Sequence, residues 1–288
     1  METIVFGDGG MGRAIRDALL AQGEPDPLVL GRPAGGTHHP GTLPAADVAF
    51  EASQAAAVAD NLATALTAGT RRFVIATTGW DSDRPLVRRL LVQSGAAAIA
   101  APNLSLGVAL FGRLVDAAVD LFGPLEGFDP YIIEWHRRTK ADRPSGTARE
   151  LARRILERHP RKRRLADTDH QGPPDPDVLD VAVLRAGASP GMHVVGFDAI
   201  GETLELRLTA RDRSAYAAGA LAAAAWLMAE PRAAGIQSFD AVVDELLLSG
   251  AGRVAEGGRT ARGSSRGRGP ADERAVEEPA DAEGGAAA

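Results

Sequence analysis

A strand that runs straight into a glycine-rich turn and out into a helix leaves few folds open to a chain. Thr3 to Phe6 form a short apolar run, Gly7-Asp8-Gly9-Gly10-Met11-Gly12 follows at once, and Met11, Ala14, Ile15, Ala18 and Leu19 recur at helical spacing until Gly23. Strand, G-x-G-x-x-G and helix in that order is the context of a dinucleotide-binding turn. There Gly7 permits the tight turn, Gly9 lets a pyrophosphate approach the backbone, and Gly12 lets helix and strand pack closely. A plain βα turn has the same pattern without the ligand. The second strand, Leu28 to Leu30, ends where an acidic residue usually meets the adenosine ribose of NAD, but Gly31 and Arg32 stand there instead. Loss of the carboxylate and gain of a guanidinium favour NADPH, with Arg32 on the 2′-phosphate. If Arg32 is merely solvated, NADH serves as well.

The βα rhythm continues. Val48 to Phe50 precede an alanine-rich helix from Gln54 to Leu66, Phe73 to Ala76 lead into Thr77-Thr78-Gly79-Trp80, and Ala97 to Ala100 lead into Ala101-Pro102-Asn103-Leu104. Alternating strands and helices imply an α/β fold of Rossmann type, a parallel sheet whose ligand gathers at the carboxyl ends of the strands. The turns at residues 76–79 and 101–104 are therefore expected to face the cofactor. Helix Leu106 to Leu121 is expected to leave this domain, with the boundary at Gly123-Pro124. The following strands are expected at Phe128 to Trp135, Val181 to Arg185, His193 to Ala199 and Thr203 to Thr209. In the last of these Leu204, Leu206 and Leu208 alternate with Thr203, Glu205 and Arg207, the pattern of a sheet covered on one face. They make a C-terminal α+β domain for substrate binding and oligomerisation over 123–213. The helix Ser214 to Met228 and residues 239–248 then return to complete the dinucleotide domain of 1–122.

Composition removes several function classes. None of the 288 residues is cysteine, and the six histidines show no ligand spacing, so no metal site is expected; adjacent His38 and His39 lie in a Gly/Pro-rich loop. A formal charge of -6 argues against a general nucleic-acid partner. No apolar run reaches the ~18 residues of a membrane span, so a soluble cytoplasmic protein is expected. The charged loop His159 to Pro176 reads as solvated surface. From Ser249 to Ala288 the chain is mostly Gly, Ala, Arg and Glu with little to bury, and disorder is expected.

Glu134 to Ala148, EWHRRTKADRPSGTA, holds the densest chemistry. A strand delivers His136 to its end. Lys140, Arg137 and Arg138 bring positive charge, and Pro144-Ser145-Gly146-Thr147 turns into a helix whose start is read as a capping box of Thr147 and Glu150. Amides at Ser145 to Thr147 would then favour an anion, beside a histidine whose ordinary pKa of about 6.5 suits proton transfer near neutrality. A solvated basic loop before a capped helix has the same spacing.

The stretch resembles the signature E-x-H-H-x-x-K-x-D-A-P-S-G-T-A of the 4-hydroxy-tetrahydrodipicolinate (dihydrodipicolinate) reductases, matched at Glu134, His136, Lys140, Asp142 and Pro144 to Ala148. Arg137 stands for the second histidine and Arg143 for the alanine. The turns at 76–79 and 101–108 are similar to the family's G-T-T-G and A-P-N-F-S-x-G-V, with Ala76 for glycine and Leu104 for phenylalanine. Arg185 to Gly187, Gly191 to His193, Gly201-Glu202, Ala210 and Arg213 also resemble it, with Met192 for a glutamate and Leu208 for a histidine. The resemblance implies a homotetramer that reduces a cyclic dicarboxylate with NADPH or NADH in diaminopimelate and lysine biosynthesis. It further implies His136 as acid/base, Lys140 as its partner, and Ser145, Gly146 and Thr147 on a substrate carboxylate, while Arg137 could bind a second one. Gly7 to Gly12, Arg32, Ala76 to Gly79 and Ala101 to Leu104 would hold the cofactor. Two other readings stay open at this point: another NAD(P)-dependent amino-acid or imine oxidoreductase on the same plan, and a non-catalytic dinucleotide-binding relative.

Overall fold

A computed structural model describes residues 1–33, 38, 41–166, 172–173 and 175–249. His39, part of the charged loop and the tail from 250 onward lie outside the described residues. Met1–Glu245 form one compact unit containing two sheets.

The first sheet begins with β1 (Thr3–Phe6), α1 (Gly10–Ala21), β2 (Leu28–Leu30), β3 (Val48–Glu51) and α2 (Val58–Thr67). It continues through β4 (Arg72–Ile75), α3 (Arg84–Gln93) and β5 (Ala97–Ala100). With the late strand β11 (Gly235–Gln237) at one edge, its strand order is β11-β5-β4-β3-β1-β2, every pairing parallel. Each of β1, β3 and β5 is buried along its length, as strands covered on both faces must be. Alternation within them feeds two cores. Val5, Phe50, Val74 and Ile99 pack with Ile15 and Leu19 of α1 on one side, while Ile4, Phe6, Phe73 and Ile75 pack with Leu62 of α2 and Leu91 of α3 on the other.

Helix α4 (Leu106–Phe122) leads to the second sheet. This is built from β6 (Asp129–His136), β7 (Arg164–Leu165), β8 (Val178–Arg185), β9 (Met192–Ala199) and β10 (Glu202–Thr209), with α5 (Gly146–Arg158) after β6. Its order is β10-β9-β6-β8-β7, with β6 parallel to β8 and antiparallel to β9. One face is covered by α4 and α5 through Phe111, Val115, Leu151 and Ile155, which meet Ile132, Val195 and Phe197.

The chain then returns. α6 (Ser214–Ala229) buries Ala217, Ala220, Ala224 and Leu227 in the same core as α1, and β11 (Gly235–Gln237) adds an edge strand to β5. Residues 239–249 are helical, with Phe239, Val242 and Val243 buried in that core. Helix α3, β7 and β11 are additions to the elements read from the sequence; the two strands carry only two and three residues, too few for a periodicity.

Helix α6 owes its position to small residues. A Cβ on Gly219 would lie 1.6 Å from the carbonyl oxygen of Leu104, which is backbone and cannot yield. Gly219→Ala should therefore destabilise the protein by about 1–3 kcal/mol, the cost of overpacking. Urea unfolding measures it, and an unchanged midpoint would show that α6 can slide outward without penalty.

Candidate active site

The chemistry of the second sheet collects around a carboxylate with no exposed surface. Glu134 on β6 accepts the backbone N–H of Ser145 at 3.0 and 3.1 Å and the Arg185 guanidinium at 2.6 Å. Register supplies the other members, because Glu134 lies opposite His193 of β9, and His136 opposite Arg185 of β8. His193 Nε2 is 3.6 Å from the Glu134 carboxylate and 3.2 Å from Ser145 Oγ. Burial opposes ionisation of Glu134, but the His193, Ser145 and Arg185 contacts outweigh it and hold the carboxyl well below its ordinary range.

Ser145 is the N-cap of α5: its Oγ accepts from the backbone N–H of Ala148. This corrects the expected Thr147–Glu150 box. Thr147 lies inside the first turn, and Glu150 pairs instead with Arg153 and Arg154 along the helix. Both the amide and the hydroxyl of Ser145 are thus committed within the protein. The remaining first-turn amides belong to Gly146, which faces the Asp142 carboxylate, and Thr147. Lys140 Nζ meets Asp142 at 2.7 Å and stays partly exposed.

His136 closes β6 and is buried, edge-on to His193 with ring centroids 5.1 Å apart. Its Nε2 lies 3.9 Å from Glu134, and its Nδ1 has no hydrogen-bond partner among the described residues. Burial drives its pKa down to about 4; Glu134 pulls upward, while His193, Arg185 and Lys140 push further down. The ordinary value taken from sequence therefore gives way to a neutral imidazole at neutral pH. Gly191, at φ +151°, packs on this ring: a Cβ there would stand 2.8 Å from His136 Cε1. Glu134, His136 and His193 offer ligand atoms within 4.8 Å of one another, but the Arg185 cation already occupies that carboxylate. Arg137 is exposed, with its Nε donating to Thr139 Oγ1.

At the first sheet, the glycine-rich turn has the shape a dinucleotide needs. A Cβ on Gly7 (φ +103°) would strike the Ala52 carbonyl, and one on Gly12 would lie 1.8 Å from the Gly7 carbonyl, whereas one on Gly9 would meet nothing within 4 Å. α1 begins without a side-chain cap and without an acid in its first turn, so its amides face outward. Met11, Ala76, Thr77 and Thr78 line one cleft with Ala52 to Ala55. Gly79 ends this turn at φ +80°, while Leu104 is buried in the core and Ala101, Pro102 and Asn103 precede the Ser105 cap of α4. Asn103 Oδ1 accepts the Ser105 amide at 2.9 Å.

Two residues absent from the sequence reading of this end stand out, Glu51 and Arg213, and a third, Asp8, enters that reading only as part of the glycine-rich turn. Glu51, fully buried at the end of β3, accepts from Ser53, Asn61 Nδ2 at 2.8 Å and Thr77 Oγ1 at 3.2 Å, and burial pushes its carboxyl up against those bonds. Arg213, just before α6, lays its guanidinium over Gly10; a Cβ there would be 1.5 Å from Nη1. Asp8 points its carboxylate at Gly31, with Oδ2 2.9 Å from where a Cβ would be. The end of β2, read as lacking a carboxylate, therefore has one nearby. Only tertiary contact brings these residues to the site.

The C-terminal part of the chain, residues 107–243, matches the family model "Dihydrodipicolinate reductase, C-terminus". A 4-hydroxy-tetrahydrodipicolinate reductase of Halorhodospira halophila is 35% identical over 223 residues, 75% of this chain and 79% of the relative. One from Methanopyrus kandleri is 37% identical over 190 residues, 65% of this chain and 68% of the relative. The chain belongs to the dihydrodipicolinate reductase family. The fold agrees, since dipicolinate-bound dihydrodipicolinate reductase from Paenisporosarcina sp. TG-14 superposes with a TM-score of 0.61 at 20% identity, covering 83% of this chain and 97% of that one. Within the family's signature stretch, the structure joins His136, Ser145 and Glu134 in one network and sets Lys140 beside it. Arg137 stays outside that network.

The low pKa of His136 has a measurable consequence. The unfolded chain takes up a proton near 6.5 and the folded site only near 4, so stability due to this group is complete above about 6.5 and falls as pH drops toward about 4. An NMR titration of the imidazole should place its midpoint near 4, and His136→Asn should flatten the loss of stability across that window.

Proposed function

We propose that the chain is a cytoplasmic, homotetrameric reductase that converts 4-hydroxy-tetrahydrodipicolinate to tetrahydrodipicolinate in diaminopimelate and lysine biosynthesis. The observation that carries the reading is the neutral His136 beside Lys140 at the N-terminus of α5, in a chain of this family whose first βα turn is open for a dinucleotide. Residues 1–122, with 214–248, would serve the dinucleotide, and 123–213 the substrate and the subunit contacts.

A nicotinamide held there would supply a hydride to the ring carbon from which the hydroxyl departs as water. That carbon is conjugated with the imine once water is lost, and one proton is taken up so that the imine is kept in the product. What the protein provides is charge and orientation. The Thr147 amide, together with Lys140 and the Gly146 amide once a substrate carboxylate replaces Asp142 as their partner, suits one substrate carboxylate, and Ser145 holds those amides in place through its cap. Arg137, exposed and lightly held, suits the other. A dianion beside His136 favours its imidazolium, so binding brings a proton to the group that must deliver one. Lys140 stabilises negative charge as it develops. At the cofactor end the amides of Gly9 to Met11 and the Arg213 guanidinium would meet the pyrophosphate, with residues 76–79 and 101–104 along the nicotinamide half. Arg32 is exposed, and its side chain has no hydrogen bond or ion pair among the described residues, leaving it available to a 2′-phosphate.

The outer face of the second sheet supports the tetramer. Tyr131, Ile133 and Trp135 of β6 lie there half-buried, and Leu184 of β8, paired with Trp135, is 49% exposed. Leu184→Glu should break the assembly into smaller species, read by light scattering after gel filtration; an unchanged mass would remove this face from the interface.

The activity is tested by following NAD(P)H absorbance while dihydrodipicolinate synthase makes the substrate from pyruvate and aspartate semialdehyde. Oxidation that depends on the synthase is expected. Lys140→Ala should lower turnover by about a hundredfold or more, the usual weight of a positioned acid/base partner, while cofactor affinity stays nearly constant. Equal turnover in the variant would sink the role given to Lys140.

A further inference from the structure

The doubly wound dinucleotide folds read the adenosine ribose with an acid at the end of the second strand. Here β2 ends in Leu30, Gly31 and Arg32, and no acid follows it. The structure fills that point in space from another part of the chain. The backbone N–H of Gly7 donates to the Leu30 carbonyl at 2.8 Å, which pins the glycine-rich turn to the end of β2. Asp8, the next residue, then sends its carboxylate over Gly31, with Oδ2 at 2.9 Å and Oδ1 at 3.7 Å from where a Cβ would stand. Asp8 is exposed, and its carboxylate has no hydrogen bond or ion pair among the described residues; Arg13 donates only to its backbone carbonyl. Gly31 leaves the carboxylate room that any side chain would take.

We propose that Asp8 is the residue that discriminates between NADH and NADPH in this chain, by accepting from the adenosine ribose hydroxyls and repelling a 2′-phosphate, so that NADH is the better reductant. The inference rests on the nicotinamide-dinucleotide reading of the glycine-rich turn and reverses the expectation drawn from Arg32 alone. A carboxylate on a short side chain, beside a turn that is itself pinned, loses little freedom on meeting a diol. Arg32 must order a long exposed side chain to grip a phosphate, and does so against the neighbouring negative charge. Arg32 then accounts for residual use of NADPH.

The experiment compares the full chain with its Asp8→Asn and Arg32→Ala variants. NADH and NADPH affinities are measured by fluorescence titration, and kcat/KM for each cofactor by the synthase-coupled assay. The wild type should favour NADH. Asp8→Asn, which keeps the shape and removes the charge, should shift the NADPH-to-NADH ratio toward NADPH by about tenfold or more, mainly through NADPH affinity. Arg32→Ala should weaken NADPH and leave NADH within about twofold. A ratio that Asp8→Asn leaves unchanged overturns the proposal, as does a wild type that binds neither cofactor. If the titrations shift as expected while the coupled assay shows no oxidation, the discrimination stands and the substrate reading falls.

Discussion

An ionised carboxylate cut off from water costs several kcal/mol unless the protein answers its charge and its lone pairs. Glu134 is in that position, and the second sheet is arranged around satisfying it. Its partners come from β8, β9 and the start of α5, so the ion fixes three separate stretches at once. A slip of one residue in β6 would turn Glu134 to the outer face and leave Arg185 buried without a counter-ion. Correct register therefore follows from electrostatics as much as from apolar packing. His136, two residues further along the same face, inherits its burial from that register. The N-terminus of α5 is held beside it by the bond from the Ser145 amide to Glu134.

The first sheet uses the same device with a different outcome. Glu51, the last residue of β3, is likewise buried and likewise binds a serine beyond its strand, Ser53, together with Thr77 of the next turn. Its partners are neutral donors from Ser53, Asn61 and Thr77, and burial wins, so its carboxyl is pushed up. Glu134 has a guanidinium at 2.6 Å, and its carboxyl is pushed down. Two buried carboxyls near the carboxyl ends of their strands thus anchor the segments that follow them. One carboxyl is held ionised by a guanidinium, while the other is pushed up by burial among neutral donors.

What could be seen in the sequence was whatever depends on neighbours along the chain. The strand–glycine turn–helix of residues 3 to 21, the βα alternation and the delivery of His136 at a strand end are local patterns, and the structure reproduces them. The N-cap of α5 is read from sequence at Thr147, because Glu150 follows it at capping-box spacing. Pairing with Glu134, invisible locally, selects Ser145. The pKa of His136 was misjudged for the same reason: burial and nearby cations belong to tertiary structure. Asp8 at Gly31 and Arg213 at Gly10 join stretches far apart in the sequence; the fingerprint's spacing points to the end of β2 but expects the acid there and not in the glycine-rich turn.

The order of the strands has a consequence for how the protein is made. β1 leaves the ribosome long before β11 and α6, yet its sheet lacks an edge until β11 emerges, and one face lacks its alanine-rich cover until α6 does. The second sheet, encoded in between, has all its strands available before that happens. During synthesis the early half must wait with apolar surface uncovered while the later half can close, a state in which nascent chains are prone to associate. A chain stopped just after β10 would carry every strand of the second sheet, but the first would still lack its edge strand and its alanine-rich cover.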